Sequence, residues 1–510
     1  MSIADNTPVI IGVGQYSERV GEPGYEALSS MDMAGRALAA AIEDADASGD
    51  VAGAIDTLAA IRQFEISRPD RDPPFGGADN PPRAIAKRVG ADPKRAILEK
   101  TGGNYNQKLV GEFAADIANG ASEVAAIVGS EAISTVLALS AKGEKPDWSE
   151  NVGGEMINRG YGLEGMIEPS LILHGATGAI PLYAFCENAR RKKLGMSLEE
   201  YRLKIGELFE PFTRVAAANP HAAAPVERSA EELATVTDRN RIVAEPYTRM
   251  TVARDQVNQA AAILIASAEK ARELGIPEDR WVHIHAVTNK VERELMARPD
   301  LAAYPAAEAS LTEALERAGK TAGDITYFDF YSCFAIPVFN AIETLGLAPD
   351  DPRGLTLTGG LPFFGGAGNN YSAHAIAEAV QRVRDDRGSY ALVGANGGMQ
   401  SKYATGIYST EPADWSDNDR FIDLGEEEGG EPRSFTPHES VTVETYTINR
   451  GKKGDTAIYI GRNADGERVC GDADLTHDHT AAVFEGGDPF GAKLSVKQDE
   501  RGRNIGRLAS

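Results

Sequence analysis

Two stretches of this chain repeat one rhythm at a near-constant distance, and that repeat constrains the fold more than any single residue does. The apolar run VIIGV at Val9 and the run VHIHAV at Val282 stand 273 residues apart. A helical stretch ending in AGAID at Ala52–Asp56 is answered by one leading into AGDIT at Ala322–Thr326, a shift of 270. Alanine-rich helices match easily by chance, so the pairing of strands carries more of the argument. Short apolar runs alternate with amphipathic helices, the pattern of an α/β protein. Val124–Val128 and Ala262–Ala266 are continuous apolar runs, as strands covered on both faces must be. After the second, the helix SAEKARELG stops at Gly275, where a helix C-terminus favours glycine. Two related halves joined by an insertion are expected.

The rhythm breaks between about 140 and 245. Amphipathic helices (MSLEEYRLKIGELFEPF) and polar loops (NPHAAAPVERS) fill this interval, which reads as a helical insertion placed to cover a site. The character changes again after Ser409. Residues 414–432 are acidic and glycine-rich and read as a linker. The strands VTVETYTI, DTAIYIGR and AKLSVKQ follow, with turn residues between them, as in a small OB-like β-module. The expected division assigns 1–139 and 246–272 to the first half and 140–245 to the insertion. It gives 273–409 to the second half and 410–510 to the linker and C-terminal β-domain.

Charge and cysteine usage narrow the function. The formal net charge is −24 over 510 residues, which repels phosphate backbones and argues against nucleic acid as a partner. Three cysteines without a CxxC pair argue against a disulfide framework and a thiolate zinc site, and fit a reducing cytoplasm. No signal peptide is read at the N-terminus, and no run reaches the ~18 apolar residues of a membrane span.

Four segments between residues 8 and 409 together carry a family resemblance. The first is TGGNYNQKLVGEFAADIANGASEVAAIVGSE, Thr101–Glu131. It resembles the thiolase segment in which C-x-S-G is followed by Ile-x-x-Gly seventeen residues after the cysteine, and by a glutamate eleven residues later. Gly120 and Glu131 keep that spacing, which puts the nucleophile position at Gly103. FDFYSCFAIPVFNAIETLGL, Phe328–Leu347, resembles the N-E-A-F or H-D-C-F box, with the catalytic residue falling at Tyr331. GGLPFFGGAGNNYSAHA, Gly359–Ala375, resembles G-G-x4-G-H-P-x-G, with the histidine position at Gly366. ALVGANGGMQ, Ala391–Gln400, resembles the strand ending in C-x-G-G-G, with the second cysteine position at Gly394. Four motifs in family order resemble the thiolase superfamily. With the C-terminal β-module, they look most like thiolase-like proteins of the type labelled acetyl-CoA acetyltransferase. The resemblance implies a duplicated fold of two βαβαβαββ halves in five αβαβα layers. It implies CoA or an acyl-CoA as ligand, no covalently bound cofactor, and a homodimer unless the added domain leaves a monomer. All four catalytic positions depart from the family.

Claisen chemistry needs a thiolate to take the acyl group, an acid/base for the enolate and donors for the thioester oxygen. A nucleophile at a helix N-terminus gains from the dipole. Leu109, Val110, Phe113, Ala114 and Ile117 still mark one buried helical face here. The N-terminus of that helix offers Gly103 and Asn104, so amides remain but no nucleophile. Tyr331 either caps a buried strand or donates to, or exchanges a proton with, a thioester. His374 lies eight residues past Gly366 and either swings into the site or is packed. Asn369, Asn370 and Asn396 either serve left-handed turns or donate to a ligand, as Gly366 can through its backbone. Cys333 reads as core, and the alternating pair His283 and His285 as structural. His477 and His479 lack further spaced ligands, so no metal site is assigned. The resemblance therefore implies a CoA-thioester-binding member of an acyltransferase family that cannot be an ordinary Claisen thiolase. Retro-aldol cleavage of an acyl-CoA using Tyr331, and a non-catalytic acyl-CoA-binding scaffold in lipid metabolism, stand as alternatives.

Overall fold

The computed structural model describes residues 3–451 and 454–508. The first part of the chain supplies β1 (Pro8–Ser17), β2 (Thr57–Ala60), β3 (Arg95–Leu98) and β4 (Val124–Ala132). The insertion supplies β5 (Ile157–Asn158) and β6 (Ile242–Ala244), followed by β7 (Tyr247–Thr248). Then come β8 (Asn258–Ser267), β9 (Val282–Val291), β10 (Tyr327–Phe330), β11 (Tyr390–Gly397) and β12 (Lys402–Ser409). The C-terminal region adds β13 (Phe421–Glu426), β14 (Ser440–Gly451), β15 (Gly454–Arg462), β16 (Arg468–Ala473), β17 (Lys493–Gln498) and β18 (Asn504–Leu508).

The repeat seen in the sequence is a repeat in the sheet. β2 runs parallel to β4, β4 antiparallel to β8, and β8 antiparallel to β1. In the same order and sense, β10 runs parallel to β11, β11 antiparallel to β12, and β12 antiparallel to β9. The two copies meet where β1 pairs with β9, at Val9↔His283 and Ile10↔Val282. The runs spaced 273 residues apart are thus the strands that join the halves. The helices Tyr105–Ala118 and Tyr371–Asp385 lie between the two copies, touching strands of both. Ser30–Asp44 and Pro81–Val89 cover the first copy from outside, and Pro305–Ala318 and Ala335–Leu345 the second. This is the expected five-layered fold.

Close packing follows from small residues. A Cβ on Gly12 would lie 2.1 Å from the Ala41 carbonyl oxygen, and one on Gly14 2.2 Å from that of Ala37. Only glycine lets the alanine-rich 30–44 helix rest directly on β1. Leu109, Val110, Phe113, Ala114 and Ile117 are all buried in the middle layer, as their spacing predicts.

The insertion is helical, with Ala179–Leu194 and Leu198–Ala218 as its long elements. Ser197 and Glu200 form a capping box that starts the second helix. Glu187, fully buried, accepts from the hydroxyls of Tyr201 (2.5 Å) and Tyr247 (2.6 Å) and from the Ile336 amide (3.0 Å). These bonds tie the insertion to the 335–345 helix.

β14, β15, β16, β18 and β17 close into a five-stranded barrel, which fits the expected OB-like module. Its core holds Val441, Val443, Tyr446, Ile448 and Tyr459. The insertion extends this sheet, because β6 pairs with β14 at Ala244↔Asn449. One expectation needs correction. The acidic 414–432 stretch is not a free linker: β13 runs parallel to β9, Glu431 donates its amide to the Ala297 carbonyl (2.8 Å), and Arg433 meets Glu294 (3.1 Å). The apolar residues alternating in FIDLGE let it add to a sheet edge, which the acidic composition hid. Among the described residues no helix is long and apolar enough to cross a membrane.

Candidate functional site

β10 ends at Phe330, so Tyr331 emerges at the C-terminal edge of the second copy, where open α/β sheets gather ligand-binding groups. Its ring packs edge-on against Tyr371 at 5.2 Å, and its side chain points at the N-terminus of the 105–118 helix. A Cβ built on Gly103 would lie 2.4 Å from the Tyr331 hydroxyl. The phenol therefore occupies the room that a nucleophile at position 103 would need. Burial pushes the Tyr331 pKa up, and no hydrogen bond offsets it. Tyr331 is only 6% exposed, and among the described residues its protonated phenol has no protein acceptor.

The helix N-terminus beside it carries no side-chain cap. Asn104 holds the cap position without a side-chain cap bond. Its amide nitrogen donates to Asn289 Oδ1 (3.0 Å), and its own Oδ1 is buried without a partner among the described residues. The positive end of the helix dipole and a free phenol thus converge on Gly103.

The strand-end turn of β11 approaches from the other side. The Asn396 carbonyl oxygen lies 2.6 Å from a Cβ on Gly103. Gly394 sits two residues deeper in the strand, where its Cβ would strike the Tyr403 hydroxyl at 2.2 Å. The residue that meets the nucleophile position is Asn396, not Gly394, and position 394 also faces a tyrosine. Asn396 turns its side chain away from Gly103. Its amide nitrogen donates to Tyr183 (2.7 Å), and its oxygen accepts from Tyr304 (2.9 Å).

The glycine loop acts through its backbone. Gly366 donates to the Arg254 carbonyl (2.7 Å), and a Cβ there would have Arg254 and Leu361 at 3.3 and 3.4 Å. Asn369 is a clamp: its Oδ1 accepts from the Gly102 amide (3.0 Å), and its nitrogen donates to the Arg62 carbonyl (2.6 Å) and Ser67 Oγ (3.1 Å). Asn370 donates to the Gly129 carbonyl (2.7 Å). Both amides hold the loop against the first copy; Asn369 is engaged at both ends, whereas Asn370 Oδ1 is buried without a partner among the described residues. His374 does not join Tyr331. Its Nδ1 pairs with Gln15 Oε1 (2.7 Å), its ring lies 5.1 Å from Phe364, and burial lowers its pKa to about 3.

Other sequence candidates have structural roles. Cys333 is buried, its thiol pushed up to about 12 by burial. His285 bonds the Glu411 carbonyl (2.9 Å), and His477 caps the Asp478–Glu485 helix.

Sequence reasoning missed Lys402, the first residue of β12. It is 8% exposed, and its Nζ donates to the carbonyls of Thr101 (3.3 Å) and Gly162 (2.9 Å). Nothing in SKYATGIY marks it; only the fold brings it to the 101–103 turn. Insertion residues close over the same turn, with the Tyr161 carbonyl accepting from the Thr101 amide (3.0 Å). Two open clefts, of about 410 and 380 Å³, lie elsewhere, around Gln15 and His221 and around Arg83 and Gly153.

No family model and no curated protein matches the chain. Solved structures do. A crystal structure of a monomeric SCP2-thiolase-like protein type 1 from Mycobacterium smegmatis is 42% identical, covers 100% of both chains and superposes with a TM-score of 0.83. An Ltp2–ChsH2(DUF35) aldolase structure is 18% identical over 81% of this chain and 100% of its own, with a TM-score of 0.58. Acetyl-CoA acetyltransferase from Syntrophomonas wolfei is 17% identical over the same shares, with a TM-score of 0.56. The last two show likeness of fold alone.

Proposed function

The chain belongs to the SCP2-thiolase-like proteins of type 1, and on that premise we propose that it binds a CoA thioester at Tyr331 without forming an acyl-enzyme at the family's nucleophile position. The observation that carries this reading is the hydroxyl of buried Tyr331, which has no protein acceptor among the described residues and stands at the N-terminus of the 105–118 helix. A thioester carbonyl is an acceptor of the right kind, and the helix dipole favours the partial negative charge on its oxygen. Ordinary Claisen turnover does not fit this reading: Gly103 offers no nucleophile, and its neighbours leave no room for one.

The retro-aldol alternative uses the same phenol. Tyr331 can polarise the carbonyl as a donor, but with its pKa raised it is a poor base near neutral pH. A lyase would need its base elsewhere, so binding is the better-supported role and a scaffold without turnover is the outcome if no base exists. We take the chain as a cytoplasmic monomer in acyl-chain metabolism. β5 pairs along the outer edge of β3, and the 42%-identical protein is described as monomeric.

Calorimetric titration with CoA, acetyl-CoA and a long-chain acyl-CoA tests the reading. Tyr331→Phe is expected to weaken the acyl-CoAs about fivefold, the value of one ordinary hydrogen bond, and to leave CoA unchanged. Absence of binding to all three at millimolar concentration would refute it.

A further inference from the structure

Lys402 stands on the same turn as the proposed site. In register it faces Gly397 of β11, and a Cβ on Gly397 would lie 2.2 Å from Asn104 Oδ1. Its ammonium group lies 5.1 Å from the Tyr105 ring centroid and reaches the carbonyls of Thr101 and Gly162. A buried ammonium ordinarily recruits a carboxylate. None lies within ion-pair distance of Lys402 among the described residues, and nearby Glu99 is bound by Arg159 at 2.6 Å.

The acceptor set fits the neutral amine. An uncharged NH2 has two N–H groups and one lone pair. The two carbonyls satisfy both N–H groups and leave the lone pair unengaged. Burial, helped by Lys100 and Lys108 and opposed by Glu164 and Glu99, lowers the Lys402 pKa to about 8. Near neutral pH a substantial share of this amine is uncharged, against roughly one part in a thousand for an ordinary lysine of pKa ~10.4.

We propose that Lys402 is an acyl acceptor, its amine taking the acyl group from a CoA thioester bound at Tyr331. The inference rests on the binding reading above. The Nζ lone pair attacks the thioester carbonyl carbon and a C–N bond forms. The C–S bond then breaks, and CoA leaves as the thiol with the proton lost from nitrogen. No further reactant is needed. The product is an amide, which another CoA thiol does not reopen, so each chain is acylated once. The amide nitrogen keeps one hydrogen, so it can hold only one of the Thr101 and Gly162 carbonyls. Acylation therefore weakens the tie between the insertion and the site.

The wild-type chain is incubated with acetyl-CoA over a concentration series and acetyl-lysines are quantified by peptide mass mapping, with exposed Lys94 as internal reference. Lys402 is expected to be acetylated at least about tenfold faster than Lys94, with a rate that saturates in acetyl-CoA and falls when free CoA competes. Lys402→Arg should lose the fast site alone. Saturable calorimetric binding of acetyl-CoA with Lys402 no faster than Lys94 overturns this inference and leaves the binding reading standing. Fast but unsaturable acetylation, matched by p-nitrophenyl acetate, shows a reactive amine without a thioester site and overturns both.

Discussion

Replacing Gly103 by alanine sets a methyl carbon 2.4 Å from the Tyr331 hydroxyl and 2.6 Å from the Asn396 carbonyl oxygen. Ordinary contact would be about a full ångström longer in each direction. The phenol packs edge-on against Tyr371, and the carbonyl belongs to β11, paired with β12 through Asn396↔Tyr403. Overpacking of this kind costs about 1–3 kcal/mol, and two obstructions place it near the top of that range. Gly103 is not in the left-handed region, so alanine regains up to about 1 kcal/mol by restricting the unfolded chain. The net expectation is about 2 kcal/mol. A chain of 510 residues unfolds with an entropy near 1 kcal/mol/K, so the midpoint should fall by about 2 °C. Tyr331→Phe removes the nearest atom but leaves the ring Cζ at 2.8 Å and the carbonyl at 2.6 Å, so the double variant should recover only part of the loss. Scanning calorimetry of the four proteins under one condition measures the cycle. A Gly103→Ala midpoint at or above wild type, or strictly additive shifts, would refute the claim that Tyr331 fills the nucleophile's place.

Three further outcomes are expected. Acetoacetyl-CoA and CoA should give no thiolysis above background in a thioester absorbance assay, since no thiolate stands at position 103 or 394; a rate typical of thiolases would mean the motif assignment is wrong. Burial lowers the pKa of His374 to about 3 and of His283 and His285 to about 4. Because the unfolded chain takes up these protons first, stability present above pH ~6.5 should be lost as pH falls toward 4, by roughly 1.4 kcal/mol per pH unit for each group. His285→Gln should flatten the dependence of the melting midpoint over that window, and an unchanged slope would count against it. Deleting residues 410–510 should leave an insoluble product, because it strips β13 from β9 and β14 from β6; a soluble, cooperatively melting core would show the C-terminal region to be separable.

The sequence made the architecture readable where one physical rule acts locally. Continuous apolar runs marked β4 and β8, and helical spacing marked the face of the 105–118 helix. The position that the resemblance assigns to a nucleophile is reached by counting from Gly120 to Gly103. What fills that position was not readable. Tyr331 and Gly103 lie far apart in the chain, and no local pattern says that one side chain will enter the space left by the other. The asparagines show the same limit. Asn369 looks equally suited to a ligand or to a turn until Gly102, Arg62 and Ser67 surround it. Lys402 looks like any strand residue until the insertion lays the Gly162 carbonyl over it. β13 was hidden because acidic composition outweighed a short alternation.

The pairing of β1 has a consequence for synthesis. Its strand partner along most of its length is β8, with Pro8 opposite Ser267, and it also pairs with β9 at Val9 and Ile10. At ~5–20 residues per second, the ribosome needs roughly 13–50 s to deliver β8 after β1 has emerged. Through that interval Val9, Ile10 and Ile11 have no strand to pair with. The 30–44 helix follows within seconds, and Gly12 and Gly14 are shaped to receive it. A nascent β1 met early by its own helix has the face of Val9 and Ile11 covered while its other face and its edges wait for the rest of the sheet.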